Sequence, residues 1–330
     1  MCKTCGAKLQ KWGKDARGNT RFRCKNCKTS TLRKRPDLSQ KYRLRLFQKW
    51  LLGKLSLSEI ADDNQVCVKT LSRFFAPFWN IEPQPKLINI SGQVLILDGK
   101  FVEMNATVLI ATTTNGVVSW HFTQRENHAS WLAFADTLRH FPFAVVCDGQ
   151  KGLLKAINQR FPGVIIQRCQ FHVIQYVTIK LTRNPESIAA RKFRQLVLQI
   201  VKVKSKSDLR VWLDAYKHWH KTYQEFLKEK TYQDNNLTPT GRKRWHYTHG
   251  RLHAASSHLK NALPNLFMYL FHPQIPNTSN YIEGAVNAQL QEKLRFHRGL
   301  SLLKRRVLIA TFLASKQCGK TNEKPTQNFT

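Results

Sequence analysis

The chain has 330 residues, 42% of them hydrophobic and 11% aromatic, which excludes global disorder and allows two or three domains with their own cores. Its formal charge of +34, from 54 Lys and Arg against 20 Asp and Glu, predicts a polyanionic partner. The sequence has no apolar run of the roughly 20 residues that span a bilayer and no visible secretory signal, so we expect a cytoplasmic protein without membrane insertion.

Residues 1–35 carry two C-x2-C pairs, Cys2 with Cys5 and Cys24 with Cys27. Each short loop points two thiolates at one ion, so the spacing predicts a zinc ribbon with one structural Zn²⁺. A disulfide framework is the alternative, which a reducing cytoplasm disfavours. Residues 1–50 hold 16 basic and 2 acidic residues, and we therefore expect this ribbon to contact phosphates.

Residues 36–80 show three helical patterns at helix-turn-helix spacing, the second beginning with a capped start at Ser56. If the third helix lies in the major groove of DNA, four of its residues face the bases. These residues are Lys69, Thr70, Ser72 and Arg73. The alternative is an ordinary three-helix bundle that acts as a spacer, and Cys67 is expected to be a small buried residue in either case.

Residues 81–90 contain Pro83 and Pro85 without a periodic pattern, which predicts a linker. Strand patterns follow at 94–97, 107–112 and 117–122, then a helix at 130–141, a strand at 143–146, a helix at 152–161 and a strand at 164–167. Three strands followed by helix, strand, helix and strand predict an α/β fold of the ribonuclease H-like class with a mixed sheet. Its first part covers residues 91–177.

Residues 178–275 are predicted to form an all-helical insertion. Its aromatic residues recur at steps of three and four residues and favour a core over a base-stacking platform; they are Trp212, Tyr216, Trp219, Tyr223 and Phe226. Residues 276–316 return to the catalytic core as one helical segment from about Asn280 to Ala314, with Glu283 near its start. The polar residues 317–330 predict a disordered tail.

Asp98 and Asp148 each follow an apolar strand and precede a glycine that is expected to let the backbone turn sharply. Because the predicted topology makes these strands neighbours, both carboxylates reach one edge of the sheet, where their repulsion calls for a cation. Glu283 would supply a third ligand, although an acid in the first turn of a helix is also favoured by the helix dipole alone. Three carboxylates suit two Mg²⁺ or Mn²⁺ ions about 4 Å apart, which cleave and join phosphodiesters.

The order of Asp98, Asp148, the Cys169-Gln-Phe-His172 motif and Asn280-Tyr-Ile-Glu283 resembles the catalytic domain of Mutator-like DDE transposases, above all bacterial insertion-sequence members. The resemblance implies that Asp98, Asp148 and Glu283 are the DDE triad and that Cys169 and His172 form the family's C-x2-H motif. Taken alone, this motif is half a zinc site without a clear second half, which favours a structural or DNA-positioning role over metal binding.

The sequence therefore predicts a transposase that cleaves double-stranded DNA at the ends of an insertion sequence and transfers the strands into target DNA. Because two ends must be brought together, a homodimer or higher assembly on the bacterial nucleoid is expected. Two alternatives remain open. One is a non-catalytic DNA-binding regulator or decayed transposase, and the other is a ribonuclease H-like nuclease that does not transfer strands.

Overall fold

The structure is a computed structural model that describes residues 1–2, 4–16, 18–32, 36–237 and 243–318, without the side chains of 36–39 and 234–237. The chain divides into two compact units, Met1–Glu82 and Pro83–Thr330. The division falls inside the segment predicted as a linker. None of the helices in the described ranges is long and apolar enough to cross a membrane.

The first unit begins with a small antiparallel sheet of three strands, β1 (Leu9–Lys14), β2 (Thr20–Cys24) and β3 (Ser30–Leu32), in the order β1-β2-β3. Most side chains of these strands are exposed, whereas Cys2 and Cys24 are buried. A sheet of this size has no apolar core of its own, so its folding depends on the cysteine cluster described below.

Three helices follow in the first unit: α1 (Pro36–Leu52), α2 (Leu57–Asp63) and α3 (Val68–Phe75), the last continued by a 3₁₀ turn (Ala76–Asn80). Ser56 caps α2 in a reciprocal box, because its hydroxyl accepts from the Glu59 amide and its own amide donates to the Glu59 carboxylate. Apolar side chains from all three helices form the core, among them Phe47, Leu51, Ile60, Leu71 and Phe75.

The second unit contains a mixed five-stranded sheet of β4 (Val94–Glu103), β5 (Ala106–Thr113), β6 (Gly116–Thr123), β7 (Ala144–Cys147) and β8 (Ile165–Arg168). The order is β6-β5-β4-β7-β8, with antiparallel pairing from β4 to β6 and parallel pairing of β4 with β7 and of β7 with β8. The prediction of a mixed α/β sheet is confirmed. However, β4 does not end at Leu97, because its pairing with β5 continues to Glu103.

Helices α4 (His128–Thr137) and α5 (Lys151–Arg160) cover one face of this sheet, and α6 (Gln170–Leu181) follows β8 directly. Alternate residues of the strands point into that face, as the period of two requires. Leu95, Leu97 and Leu109 pack there with Trp131 and Phe134 of α4. This packing holds β7 and the first half of β4, which leads to Asp98, on a rigid support.

The insertion contains α7 (Ile188–Leu198), α8 (Lys206–Lys228) and α9 (Gly250–Ala262) around a second core. The aromatic residues of α8 belong to this core, as predicted: Trp212, Tyr216 and Trp219 are buried, and Tyr223 and Phe226 pack against them. The prediction of an all-helical insertion is wrong, because β9 (Lys230–Leu237) and β10 (Lys243–Tyr247) form an antiparallel hairpin between α8 and α9. β-branched and aromatic residues such as Thr231, Tyr232 and Trp245 favour strands there.

The last helical region is not the single helix that the sequence predicts. It consists of a π-helical segment (Ile282–Ala288), α10 (Gln289–Phe296) and, after a break, α11 (Leu302–Ser315). Gly299 lies in the break, and glycine is disfavoured in the interior of a helix. Arg305 of α11 stabilises the break, because it donates to the Arg298 carbonyl at 2.9 Å and to Glu103 of β4 at 2.6 Å.

Gln317 corrects two of the predicted boundaries. Its buried side-chain amide donates to the carbonyls of Lys86 and Val118, and its oxygen accepts from the Lys86 amide. The disordered tail therefore does not begin at 317, and residues 319–330 lie outside the described residues. Part of the predicted linker also belongs to the second unit, since Ile90 is buried in its core.

Candidate active site

The register of β4 and β7 brings the two predicted aspartates to the same edge of the sheet. Val94 pairs with Ala144 and Ile96 with Val146, so the same register continued by two residues sets Asp98 opposite Asp148. β7 ends at Cys147, and Asp148 is the first residue beyond it. Asp98 therefore lies inside β4, just beyond the part that pairs with β7, and Asp148 lies just beyond the carboxyl end of β7.

Each aspartate is held by hydrogen bonds in its own neighbourhood. Asp98 accepts from its neighbouring Gly99 amide at 3.0 Å and from the Asn287 side-chain amide at 2.6 Å. Asp148 accepts from the Gln150 backbone amide at 2.9 Å. Asn287 belongs to the π-helical segment that also carries Glu283, so this segment meets the sheet edge directly.

Glycine is favoured for different reasons at the two positions that follow the aspartates. Gly149 has a φ of +77° and turns the chain as predicted, and a Cβ there would collide with the Arg168 guanidinium. Gly99 lies inside β4 and has no positive φ, so the predicted sharp turn is wrong at this position. A Cβ on Gly99 would instead stand 2.6 to 2.7 Å from the carboxyl group of Glu126.

Glu126 is an acidic residue at the site that the sequence reasoning missed. It lies between β6 and α4, and its Oε1 accepts from the Trp131 indole at 3.2 Å. Burial raises the pKa of Glu126 to about 7, and the charges of Asp148 and Asp98 act in the same direction. The strand order could have indicated Glu126. β6 is antiparallel to β5 and β5 is antiparallel to β4, so β6 runs parallel to β4 and its carboxyl end lies at the same edge of the sheet.

Glu283 lies with Cys169 and His172, and one ligand atom of each falls within 4.8 Å of the others. His172 Nε2 is 3.4 Å from Glu283 Oε1, and the Ser279 hydroxyl also donates to that oxygen at 3.2 Å. Ser279 further donates its amide and hydroxyl to the Cys169 sulfur at 3.3 and 3.2 Å. The C-x2-H motif and the start of the late helical region thus form one contact network.

The charges of these groups are coupled. Burial raises the pKa of Asp98 to about 6, with Asp148 and Glu283 acting in the same direction and His172 against it. The neighbouring Cys169 raises the pKa of His172 to about 9, which keeps the imidazole positively charged at neutral pH. Burial acts to raise the pKa of Cys169, but His172 and the Ser279 donors outweigh it and lower that pKa. A cationic histidine thus faces an acidic cluster.

The donor set at the sheet edge suits a hard divalent cation. Asp98 and Asp148 offer carboxylate oxygens, and a bound cation would offset the burial and the neighbouring negative charges that raise the pKa of Asp98. Oxygen ligands of this kind are preferred by Mg²⁺ and Mn²⁺. Glu283 adds a third carboxylate from the adjoining segment.

The four N-terminal cysteines form a separate cluster. Their sulfur atoms all lie within 4.8 Å of one another, with 3.4 Å between Cys2 and Cys27 and between Cys5 and Cys24. Tetrahedral thiolates at zinc are about 3.8 Å apart, since each Zn–S bond is about 2.3 Å long. The cluster is compatible with zinc, and all eight cysteines of the chain are free thiols, which disfavours the disulfide alternative.

The residues predicted to face DNA lie on the outer side of α3. Lys69, Ser72 and Arg73 are exposed and Thr70 is half-buried, opposite the buried Leu71. Arg73 donates to the Thr70 hydroxyl at 3.3 Å. The expectation that Cys67 is buried is wrong, because it stands at the exposed N-terminal cap of α3.

Comparisons with known proteins agree with the predicted resemblance. Residues 92–239 match the model of the Mutator family of transposases. The transposase for insertion sequence element IS905 of Lactococcus lactis subsp. lactis is 24% identical over 164 residues, which cover 44% of this chain and 40% of that relative. The resemblance to Mutator-family insertion-sequence transposases is confirmed. The Mutator-family match includes Asp98, Glu126 and Asp148 but ends before Glu283.

Proposed function

We propose that this chain is a DDE transposase that cleaves DNA at the ends of an insertion sequence and transfers the strands into target DNA. The observation that carries the proposal is the parallel pairing of β4 with β7, whose register continued by two residues would set Asp98 opposite Asp148. The hydrogen bond from Asn287 to Asp98 supports the nearby place of the segment that carries Glu283. The strand order supports a ribonuclease H-like core. The Mutator-family match supports transposition as the activity.

The site residues have distinct roles in this proposal. Asp98, Asp148 and Glu283 hold two Mg²⁺ or Mn²⁺ ions, which when bound activate a water or a 3′-hydroxyl and stabilise the leaving oxygen. Asn287 and the Gly99 amide orient Asp98, and the Gln150 amide orients Asp148. Such hydrogen bonds fix a carboxylate before its ligand arrives, which reduces the cost of assembling the site.

Cys169 and His172 position Glu283. His172 lies against one oxygen of Glu283, and Ser279 contacts both that oxygen and the Cys169 sulfur. The contact between the His172 imidazole and the Glu283 carboxylate links the π-helical segment to the start of α6. These contacts support a structural role for the C-x2-H motif.

The first unit is proposed to grip double-stranded DNA. Zn²⁺ on Cys2, Cys5, Cys24 and Cys27 would hold the basic ribbon, and α3 would present Lys69, Thr70, Ser72 and Arg73 to the major groove as part of a helix-turn-helix. The large positive charge supports phosphate contacts along the duplex. Joining two element ends requires a homodimer or higher assembly, and the chromosome as target implies a location at the bacterial nucleoid.

The proposal is tested with the purified full-length chain, Mg²⁺ and DNA that carries both ends of the surrounding element. We expect end cleavage and strand joining by the native chain, and loss of both in Asp98→Asn, Asp148→Asn and Glu283→Gln. Asp136→Asn is the control, because this carboxylate lies on α4 with 61% of its side chain exposed. Cleavage without joining would favour the nuclease, and binding without cleavage would favour the regulator.

A further inference from the structure

The β9–β10 hairpin is a two-stranded sheet of its own, in which Trp245 pairs with Tyr232 and Tyr247 with Lys230. Its described residues belong to neither apolar core of the second unit. Their side chains are exposed, except that of Tyr247, which is half-buried. An antiparallel sheet commonly packs one face on a core, and an isolated pair of strands is marginally stable in water. Exposure of both faces therefore points to a surface that meets a partner.

The base of the hairpin is fixed to the helical part of the insertion. The Tyr247 ring stacks on His253 of α9 with 3.7 Å between ring centroids, and the Thr231 and Thr248 hydroxyls lie 2.9 Å apart. The Thr248 amide also donates to the Glu229 carbonyl at 2.9 Å. These contacts orient the exposed part of the hairpin before any partner arrives, which reduces the cost of binding.

The two faces of the hairpin differ in chemistry, because side chains alternate along each strand. On one face the Trp245 and Tyr247 rings meet at 5.2 Å between centroids, and Lys230 Nζ lies 3.9 Å from the centroid of the Trp245 ring. The register places the polar residues on the opposite face. Those with described side chains are Thr231, Gln233, Arg244 and His246. The aromatic contacts stiffen the hairpin, while the polar face presents hydrogen-bonding groups to solvent.

The charge of the hairpin is complementary to a polyanion. Residues 230–247 hold four Lys and Arg against one Asp. Within the part of the chain that the structure describes, the exposed Arg244 side chain has no ion pair and no hydrogen bond. Such a charge disfavours contact with the same face of a second copy and favours the phosphates of DNA.

We propose that the β9–β10 hairpin is a second DNA-binding element, whose polar face lies in the major groove of the duplex at an insertion-sequence end, with Arg244 directed at a guanine. This inference rests on the proposed function, which makes that duplex the substrate. The major groove admits a two-stranded β-ribbon, and the N7 and O6 acceptors of guanine match the two donors of a guanidinium group. The contact would hold DNA on the unit that carries Asp98 and Asp148, in addition to the grip of the first unit.

The test is binding of the full-length chain to a labelled duplex that carries one insertion-sequence end, measured by fluorescence anisotropy. We expect Arg244→Ala to weaken binding by about fivefold or more. Arg244→Lys should also weaken it, because lysine keeps the charge but cannot make the paired contact. Arg210→Ala is the matched control, since this exposed arginine lies on α8 outside the hairpin, and it should bind like the native chain.

Protection of guanine N7 from methylation by dimethyl sulfate tests the groove directly, because N7 lies in the major groove. The native chain and Arg210→Ala should protect the same guanines, and Arg244→Ala should leave at least one of them reactive. The Arg244 side chain is exposed, so its variants should melt like the native chain and a loss of binding cannot be ascribed to unfolding.

Three results would overturn the inference: native affinity in Arg244→Ala, native affinity in Arg244→Lys, or the same protected guanines in all chains. Weaker binding by Trp245→Phe than by Arg244→Ala would also overturn it, because the aromatic face would then be the one in contact with DNA. End cleavage and strand joining by the native chain are measured separately. The proposed function therefore stands or fails independently of the hairpin.

Discussion

Gly99 has a residue-specific role that its position in a strand would not suggest. A methyl group there would stand 2.6 Å from the Glu126 carboxyl carbon, closer than any van der Waals contact allows. The backbone at Gly99 is held by its pairing with Leu109 of β5. Glu126 therefore restricts the size of the side chain that position 99 can carry.

We predict that Gly99→Ala lowers the free energy of unfolding of the metal-free chain by about 1–3 kcal/mol through overpacking. In a Glu126→Ala background the same change should cost less than about 1 kcal/mol, since the space is then free. Urea unfolding of the native chain, both single variants and the double variant measures this cycle. Equal costs of Gly99→Ala in the two backgrounds would show that Glu126 is not the group in contact.

The sequence predicts Asp98 and Asp148 but not Glu126, and the reason is physical. The two aspartates each follow a run of apolar residues, a pattern visible over a few residues. Glu126 lies in a polar loop, Arg125-Glu126-Asn127, and comes near the sheet edge of Asp98 and Asp148 only because β6 runs parallel to β4 at a distance of two strands. That relation depends on the whole antiparallel part of the sheet.

At the scale of elements, α9 brings a histidine into an environment that opposes its charge. The His258 ring stacks on Tyr176 of α6 with 4.0 Å between ring centroids, and its Nε2 is buried without a hydrogen-bond partner in the described structure. Burial lowers the pKa of His258 to about 4, and the charge of Arg168 acts in the same direction. The native fold therefore holds His258 neutral.

This predicts a dependence of stability on pH. An unfolded chain protonates His258 near pH 6.5, whereas the fold resists protonation until about pH 4, so its contribution is present above 6.5 and is lost as the pH falls toward 4. His258→Phe keeps the ring on Tyr176 and removes the titration. The free energy of unfolding of the metal-free variant should fall less than that of the native chain between pH 6.5 and 4.5, and parallel pH curves would contradict this assignment.

Elements with strong periodicity were predictable, and elements set by short local signals were not. The core-forming aromatic residues of α8 repeat over four turns, and they are buried as expected. No change in charge along the sequence marks the start of the β9–β10 hairpin after α8. The break between α10 and α11 depends on a single residue, Gly299. Such features are decided by pairing and by Arg305, which reaches β4 from α11.

At the scale of the whole molecule, the two compact units have different sources of stability. The second unit has two large apolar cores, whereas the ribbon of the first unit has four cysteines and mostly exposed strands. Loss of zinc from the cysteine cluster should therefore unfold the ribbon and leave the second unit folded. The spacing of the cysteines made this predictable from the sequence, while the boundary after Glu82 required the structure.

We predict that Cys24→Ser loses zinc and binds duplex DNA about tenfold or more weakly at moderate salt, because the basic ribbon is no longer ordered. Cys67→Ser is the control, since Cys67 is exposed and lies outside the cluster. Zinc content is measured by atomic absorption and DNA affinity by fluorescence anisotropy. The main thermal transition, which reports the second unit, should remain unchanged in both variants, and unchanged DNA affinity after verified zinc loss would refute the prediction.

The central claim is that Asp98 holds a metal ion for DNA cleavage, and the most direct measurement is end cleavage by Asp98→Cys in Mg²⁺ and in Mn²⁺. A thiolate is a poor ligand for the hard Mg²⁺ ion, and Mn²⁺ accepts sulfur more readily. The native chain should cleave with either ion. The Asp98→Cys variant should be inactive with Mg²⁺ and regain cleavage with Mn²⁺, whereas cleavage at the native rate with Mg²⁺ would contradict the assignment of Asp98 as a metal ligand.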